Sequence, residues 1–139
     1  IKQVGGDDMF IGNFNRPNDQ VINDLAAAFR TIGFNPVVSD NVIYEVWKKL
    51  ALNVCTLPST AIPRITADQV PTHEGLVELM QNILKEIVAV AAKNGISLDY
   101  DERINYILNL LRNAKGGRSS MLQDFEAKRA TEIDFINGA

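Results

Sequence analysis

Between Pro71 and Gly95 the apolar residues Leu76, Leu79, Met80, Ile83, Leu84, Ile87, Val88 and Ala91 recur three and four apart, so one face of a helix is apolar along the whole segment. Such a face is most simply core. The flanking residues predict a helix that opens near Pro71-Thr72, with Thr72 as cap and Glu74 in the first turn, and stops at Asn94-Gly95. The stripe also suits a partner helix, although it barely reaches the three to four heptads that argue for a coiled coil.

The neighbouring segments follow the same logic. Upstream, Trp47, Leu50, Ala51 and Val54 line one helical face over residues 41–57, and Pro58 and Pro63 are expected to disrupt it. Downstream, Asp99 or Asp101 caps a helix whose buried stripe is Ile104, Ile107, Leu108 and Leu111, and Lys115-Gly116-Gly117 reads as a flexible break. Ser120 with Gln123 fits a capping box, and Thr131 with Asp134 resembles another helix start. The first forty residues differ. Met9-Phe10-Ile11-Gly12 is a short apolar run, residues 19–32 carry helical spacing at Val21, Ile22, Leu25, Ala26 and Phe29, Gly33 is a stop, and Phe34–Asp40 has strand character. Residues 9–39 are thus a strand-helix-strand candidate, and the chain reads as a short α/β lead-in followed by a helical domain.

Composition excludes several functions. The 139 residues, 46% of them hydrophobic, suffice for one domain with a real core. No apolar run reaches the ~20 residues needed to span a bilayer, and Ile1–Asp8 lacks the apolar stretch of a secretory signal, so the expectation is a cytoplasmic protein with no membrane partner. A net charge of -3 with Lys and Arg scattered among acids provides no basic stripe for nucleic acid. One cysteine, Cys55, allows no internal disulfide, and with His73 as the one histidine there is no Cys/His zinc site and no expected metal. Cys55 lies near the Trp47/Leu50/Val54 face, and it reads as a small core residue rather than a nucleophile.

Lys49 and Asn53 are four apart, so on a helix they share a face roughly 5–6 Å apart at Cβ and can grip one ligand together. Lys48 points about 100° away. Read alone, Lys49 is a solvated helix lysine, Asn53 an exposed helix residue, Ser120 a cap, and Glu132 an acid favouring the positive end of a helix. The segments Trp47-Lys48-Lys49-Leu50-Ala51-Leu52-Asn53 and Ser119-Ser120-Met121-Leu122-Gln123-Asp124, the latter running on to Thr131-Glu132-Ile133-Asp134-Phe135-Ile136-Asn137-Gly138, together change that reading. In this order and spacing they resemble the ketopantoate reductase family from about Phe10 to Ala139, and the second motif is the more specific.

The resemblance implies a mainly α fold, a helical dehydrogenase domain like the C-terminal domain of 6-phosphogluconate dehydrogenase. It covers residues 41–139 and is preceded in residues 1–40 by the strand-helix-strand remnant of a Rossmann domain. It further implies an NADPH-dependent reduction of a small-molecule 2-oxo acid, 2-dehydropantoate, with Lys49 as general acid, Asn53 and Ser120 binding substrate, and Glu132 contacting the cofactor. Those residue types suit the reaction. As hydride reaches the ketone carbon, charge develops on the carbonyl oxygen, and an ammonium both stabilises and protonates it.

Two departures qualify the resemblance. Leu57 stands where the family commonly has another substrate-binding asparagine, and the Pro63–Ala67 loop lacks the asparagine some members use, which predicts a more apolar site that takes either 2-dehydropantoate held differently or another 2-oxo acid with a bulkier apolar side. No G-x-G-x-x-G turn occurs, since Gly5-Gly6 and Gly116-Gly117 have the wrong spacing. The chain therefore reads as a fragment that alone neither binds NADPH well nor turns over. Apolar surface left by missing Rossmann strands favours self-association and permits a homodimer. The competing reading is a non-catalytic helical interaction module, which gives Lys49 and Glu132 no role and scatters the four candidate residues.

Overall fold

The computed structural model describes residues 8–139, and the leading residues 1–7, read above for the lack of a secretory signal, lie outside them. The described chain is mainly helical and divides into two compact units, one ending at Val46 and the other beginning at Trp47. The division falls inside a helix.

The first unit is the expected strand-helix-strand. β1 (Asp8–Ile11) and β2 (Asn35–Val38) pair in parallel, with Met9 opposite Pro36 and Ile11 opposite Val38. α1 (Gln20–Thr31) connects them, opened by the Asp19 side chain accepting from the Ile22 N–H and ended ahead of Gly33, whose φ of +89° suits a residue without a Cβ. Asn18 ties the start of the crossover to the end of β2. Its Oδ1 accepts from the Asn13 N–H at 2.8 Å while its Nδ2 donates to the Ser39 carbonyl at 3.0 Å.

α2 (Val42–Ala61) runs into the second unit. Ala51 is fully buried, and from Val54 to Ala61 every residue is buried, so this half of the helix is enclosed on all sides. The expected interruption at Pro58 does not occur. α2 continues one turn further, because proline costs a helix one hydrogen bond and a steric clash, and both can be accommodated where surrounding packing holds the helix.

A 3₁₀ segment (Ala67–Thr72) precedes α3 (Glu74–Lys93), and α4 (Tyr100–Asn113) packs against both. Thr72 does not cap α3. Its hydroxyl donates to the Gln69 carbonyl at 2.7 Å inside the 3₁₀ turn, and His73 occupies the cap position without a side-chain bond. On α3 the buried line is Met80, Leu84 and Ala91, while Leu79 is exposed, so the stripe is narrower in the fold than in the sequence. Asp99 caps α4 by accepting from the Glu102 N–H at 2.7 Å, and Ile104, Ile107 and Leu111 are buried as expected.

The Lys115-Gly116-Gly117 break is pinned rather than loose. The Gly117 carbonyl accepts from the Ala67 N–H at 2.7 Å. The Thr66 side chain and the Gly116 backbone beside it hold the Asp68 carboxyl below the usual carboxylate range. Two short helices complete the unit, α5 (Ser120–Glu126) and α6 (Ile133–Ile136). No helix among the described residues is long and apolar enough to cross a membrane.

Candidate functional site

The four candidate residues lie on α2, α5 and the approach to α6, all within the second unit. On α2, Lys49, Asn53, Leu57 and Ala61 follow one another four apart, a shallow stripe that drifts about 40° round the helix per step and climbs roughly 6 Å. The stripe has two halves. Leu57 and Ala61 form a buried cluster with Met121 and Leu122 of α5, against which Ile133 and Ile136 of α6 also pack. Lys49 is exposed and Asn53 half-buried at the other half.

Ser120 immediately precedes the packed pair Met121-Leu122, and Glu132 immediately precedes Ile133, so both stand beside contacts made by the stripe that carries Lys49 and Asn53. Leu57 is 8% exposed and seats α5 on α2, so it belongs to the core.

None of the four candidate side chains has an internal partner among the described residues. Among the described residues, Lys49 has no hydrogen bond or ion pair, whereas Lys48 beside it has an interaction of its own. The Asn53 amide and the Ser120 hydroxyl likewise have no partner among the described residues, and Glu132 takes the cap position of α6 without a side-chain bond. Thr131 is therefore not the cap of α6.

The cap of α5 is Ser119 rather than Ser120. Ser119 Oγ accepts from the Leu122 N–H at 3.0 Å and lies 2.6 Å from Thr60 Oγ1 on α2. Thr60 Oγ1 is 2.9 Å from the Leu57 carbonyl and 3.2 Å from that of Thr56, acceptors that claim its single proton. The Ser119 proton then points to Thr60, and one chain of hydrogen bonds runs from α5 into α2. Gln123 does not close a capping box, and its Nε2 donates to the Arg118 carbonyl at 2.9 Å. Asp124 braces the far end of α5 by accepting from Arg129 at 2.6 and 2.8 Å.

Three residues that join these segments have no role in the sequence reading: Ser119 and Asn137, which stand in the quoted motifs, and Thr60, which does not. Asn137 Nδ2 donates to the Val54 carbonyl of α2 at 3.0 Å. The doubled serine was a signal for the first, and Pro58 for an acceptor left without its helical donor, but nothing in the sequence says which residue supplies the donor.

Other features lie elsewhere. A depression of about 410 Å³ in the first unit is lined by Asn13, Phe14, Arg16, Asp40, Asn41 and others, and one of about 520 Å³ in the second by Arg64, Phe125, Glu126, Lys128 and Arg129. Neither includes a candidate residue. Among the described residues no cluster of His, Cys, Asp and Glu could hold a metal. Cys55 is fully buried with its Sγ 3.6 Å from the Met80 carbonyl, and burial pushes its thiol up to about 12, which removes it as a nucleophile.

Comparison with known proteins bears on the family of the chain. A family profile described as "Ketopantoate reductase PanE/ApbA C terminal" matches residues 41–139. A curated 2-dehydropantoate 2-reductase from Shigella flexneri is 33% identical over 123 residues, covering 88% of this chain and 40% of that protein. Among solved structures, a ternary complex of D-mandelate dehydrogenase with NADH and anilino(oxo)acetate superposes with a TM-score of 0.86 at 26% identity, covering 94% of this chain and 55% of the other. A PanE/ApbA family ketopantoate reductase from Ralstonia eutropha JMP134 does so with a TM-score of 0.85 at 28% identity, covering 99% and 44%. The chain spans about two-fifths of the length of the curated relatives it matches. Over residues 41–139 it has the helical C-terminal domain of the ketopantoate reductases, and it belongs to that family.

Proposed function

We propose that this chain supplies the substrate-binding and acid-providing part of an NADPH-dependent 2-oxo acid reductase that converts 2-dehydropantoate to pantoate, a step of pantothenate biosynthesis. The observation that carries the proposal is the α2 stripe, whose buried half holds α5 and α6 while its open half presents Lys49 and Asn53. An amine, an amide, a hydroxyl and a carboxylate, each without an internal partner among the described residues, thus stand on α2 or at the heads of the two short helices packed against it.

When bound, a reduced nicotinamide supplies the hydride that reaches C2 of the 2-oxo acid. As the C2–O π pair moves onto oxygen, the Lys49 ammonium hydrogen-bonds to that oxygen and gives it a proton, leaving a neutral amine and a hydroxy acid. Asn53 and Ser120 hold the substrate by neutral hydrogen bonds. The exposed Glu132 carboxylate fits the hydroxyls of a ribose, since it is acceptor-only and not engaged in capping α6. The remainder of the cofactor is assigned to an N-terminal dinucleotide-binding half, which the greater length of the relatives would provide.

The test is turnover by the full-length protein with 2-dehydropantoate and either NADPH or NADH. Lys49→Ala should lower turnover by about 10²–10⁴-fold with cofactor affinity nearly intact, and unchanged turnover would sink the role of Lys49. A second reading, reduction of a different 2-oxo acid, is favoured by the likeness to D-mandelate dehydrogenase holding anilino(oxo)acetate. An aryl 2-oxo acid in the same assay separates the two. Absence of turnover with any 2-oxo acid would favour a non-catalytic helical module.

A further inference from the structure

Pro58 stands in the enclosed half of α2, where it has no N–H to give the carbonyl four residues back, that of Val54. Val54 is itself 4% exposed, so a carbonyl there without a donor would be unfavourable. Asn137 meets that need. Its side-chain Nδ2 donates to Val54 O at 3.0 Å across 83 residues of sequence, while its own backbone N–H closes α6 onto the Ile133 carbonyl at 2.9 Å.

α6 needs such a fastening. Four residues form too little helix to persist unaided, none of them is buried, and Phe135 is 85% exposed. Ile133 and Ile136 press against the Leu57/Ala61/Met121/Leu122 cluster, but apolar contacts are non-directional and tolerate rotation and sliding. A hydrogen bond to one particular carbonyl does not. It sets the register of α6 along α2, and Glu132 is the residue directly before α6.

We propose that Asn137 is a positioning residue: it occupies the acceptor that Pro58 leaves open on α2 and thereby fixes Glu132 relative to the Lys49/Asn53 face. The proposal rests on the reading of Glu132 as a cofactor contact given above.

The experiment measures both NADPH affinity, by direct titration, and stability, by urea unfolding, in the full-length protein. The variants are Asn137→Ala, the isosteric but donor-less Asn137→Asp, Pro58→Ala, the double variant Pro58→Ala/Asn137→Ala, and Glu132→Ala. Asn137→Ala and Asn137→Asp should both lose stability and bind NADPH about tenfold more weakly, as should Glu132→Ala without the loss of stability. Pro58→Ala restores an N–H to Val54 O. The double variant should therefore regain the stability lost by Asn137→Ala while its NADPH affinity stays low.

Recovery of both quantities in the double variant would mean that Asn137 acts on stability alone and would overturn the proposal. So would wild-type affinity in Asn137→Ala while Glu132→Ala binds poorly. Wild-type affinity in Glu132→Ala would instead remove the cofactor role of Glu132, and the positioning role with it. Should Asn137→Ala fail to fold, the double variant carries the same comparison.

Discussion

The adjacent serines at the head of α5 should respond oppositely to the same substitution. Ser119→Ala removes the acceptor for the Leu122 N–H, a cap loss of about 0.5–2 kcal/mol. It also takes away the proton that Thr60 Oγ1 receives, and Thr60 is fully buried, so about 0.5–1.5 kcal/mol is lost with that bond. The expected destabilisation is about 1–3.5 kcal/mol. Ser120 is exposed, has no partner among the described residues and stands at the first helical position, so Ser120→Ala should lie within about 0.5 kcal/mol of the parent. Urea unfolding at unchanged m value measures both. On the proposed substrate role of Ser120 the order should invert in turnover by the full-length protein, with Ser120→Ala raising the KM for the 2-oxo acid. A larger stability loss for Ser120→Ala than for Ser119→Ala would refute the assignment of cap and ligand.

Alkaline pH should act through Cys55. Its thiol is raised from 9.0 to about 12, so the folded state keeps a proton that the unfolded state gives up. The associated stability is fully present below pH 9.0 and is lost as pH rises towards 12, at up to about 1.4 kcal/mol per pH unit. Cys55→Ala should make the decline of the urea midpoint above pH 9 shallower by that amount, and an identical slope in both proteins would contradict it. In the first unit, a Cβ at Gly12 would come within 2.4 Å of the Ser39 carbonyl, so Gly12→Ala should force the end of β2 away at a cost of about 1–3 kcal/mol. Faster hydrogen exchange at the Ser39 amide, which donates to the Ile11 carbonyl at 2.8 Å, is the expected sign, and unaltered exchange would argue against the contact.

What the sequence disclosed was whatever depends on neighbours along the chain. The 3.6-residue spacing located α2, α3 and α4, Asp99 marked the start of α4, Gly33 the stop after α1, and β-branched content the second strand. The errors share one cause: a local signal was overruled by a distant partner. Pro58 reads as a breaker until the surrounding helices and Asn137 are present. Either of two serines can begin α5, and the choice falls on the one that Thr60 reaches. Gly116-Gly117 reads as loose until the Ala67 N–H binds its backbone. Leu57 looks like a missing ligand when matched to a motif, and proves to be core once α5 packs on it. The candidate site was legible as a set of residue types through resemblance, whereas the fastenings that associate them, Thr60 with Ser119 and Val54 with Asn137, join residues 59 and 83 positions apart and leave no periodic trace.

The longer of those two spans also has a meaning in time. At a synthesis rate of about 5–20 residues per second, roughly 4–17 s pass between the making of Val54 and of Asn137. Throughout that interval the middle of α2 carries a carbonyl that its own helix cannot serve, and water or a passing donor must serve it. The most enclosed helix of the unit is thus finished late by the ribosome's clock, and a nascent chain stalled before residue 137 would hold α2 at its most vulnerable.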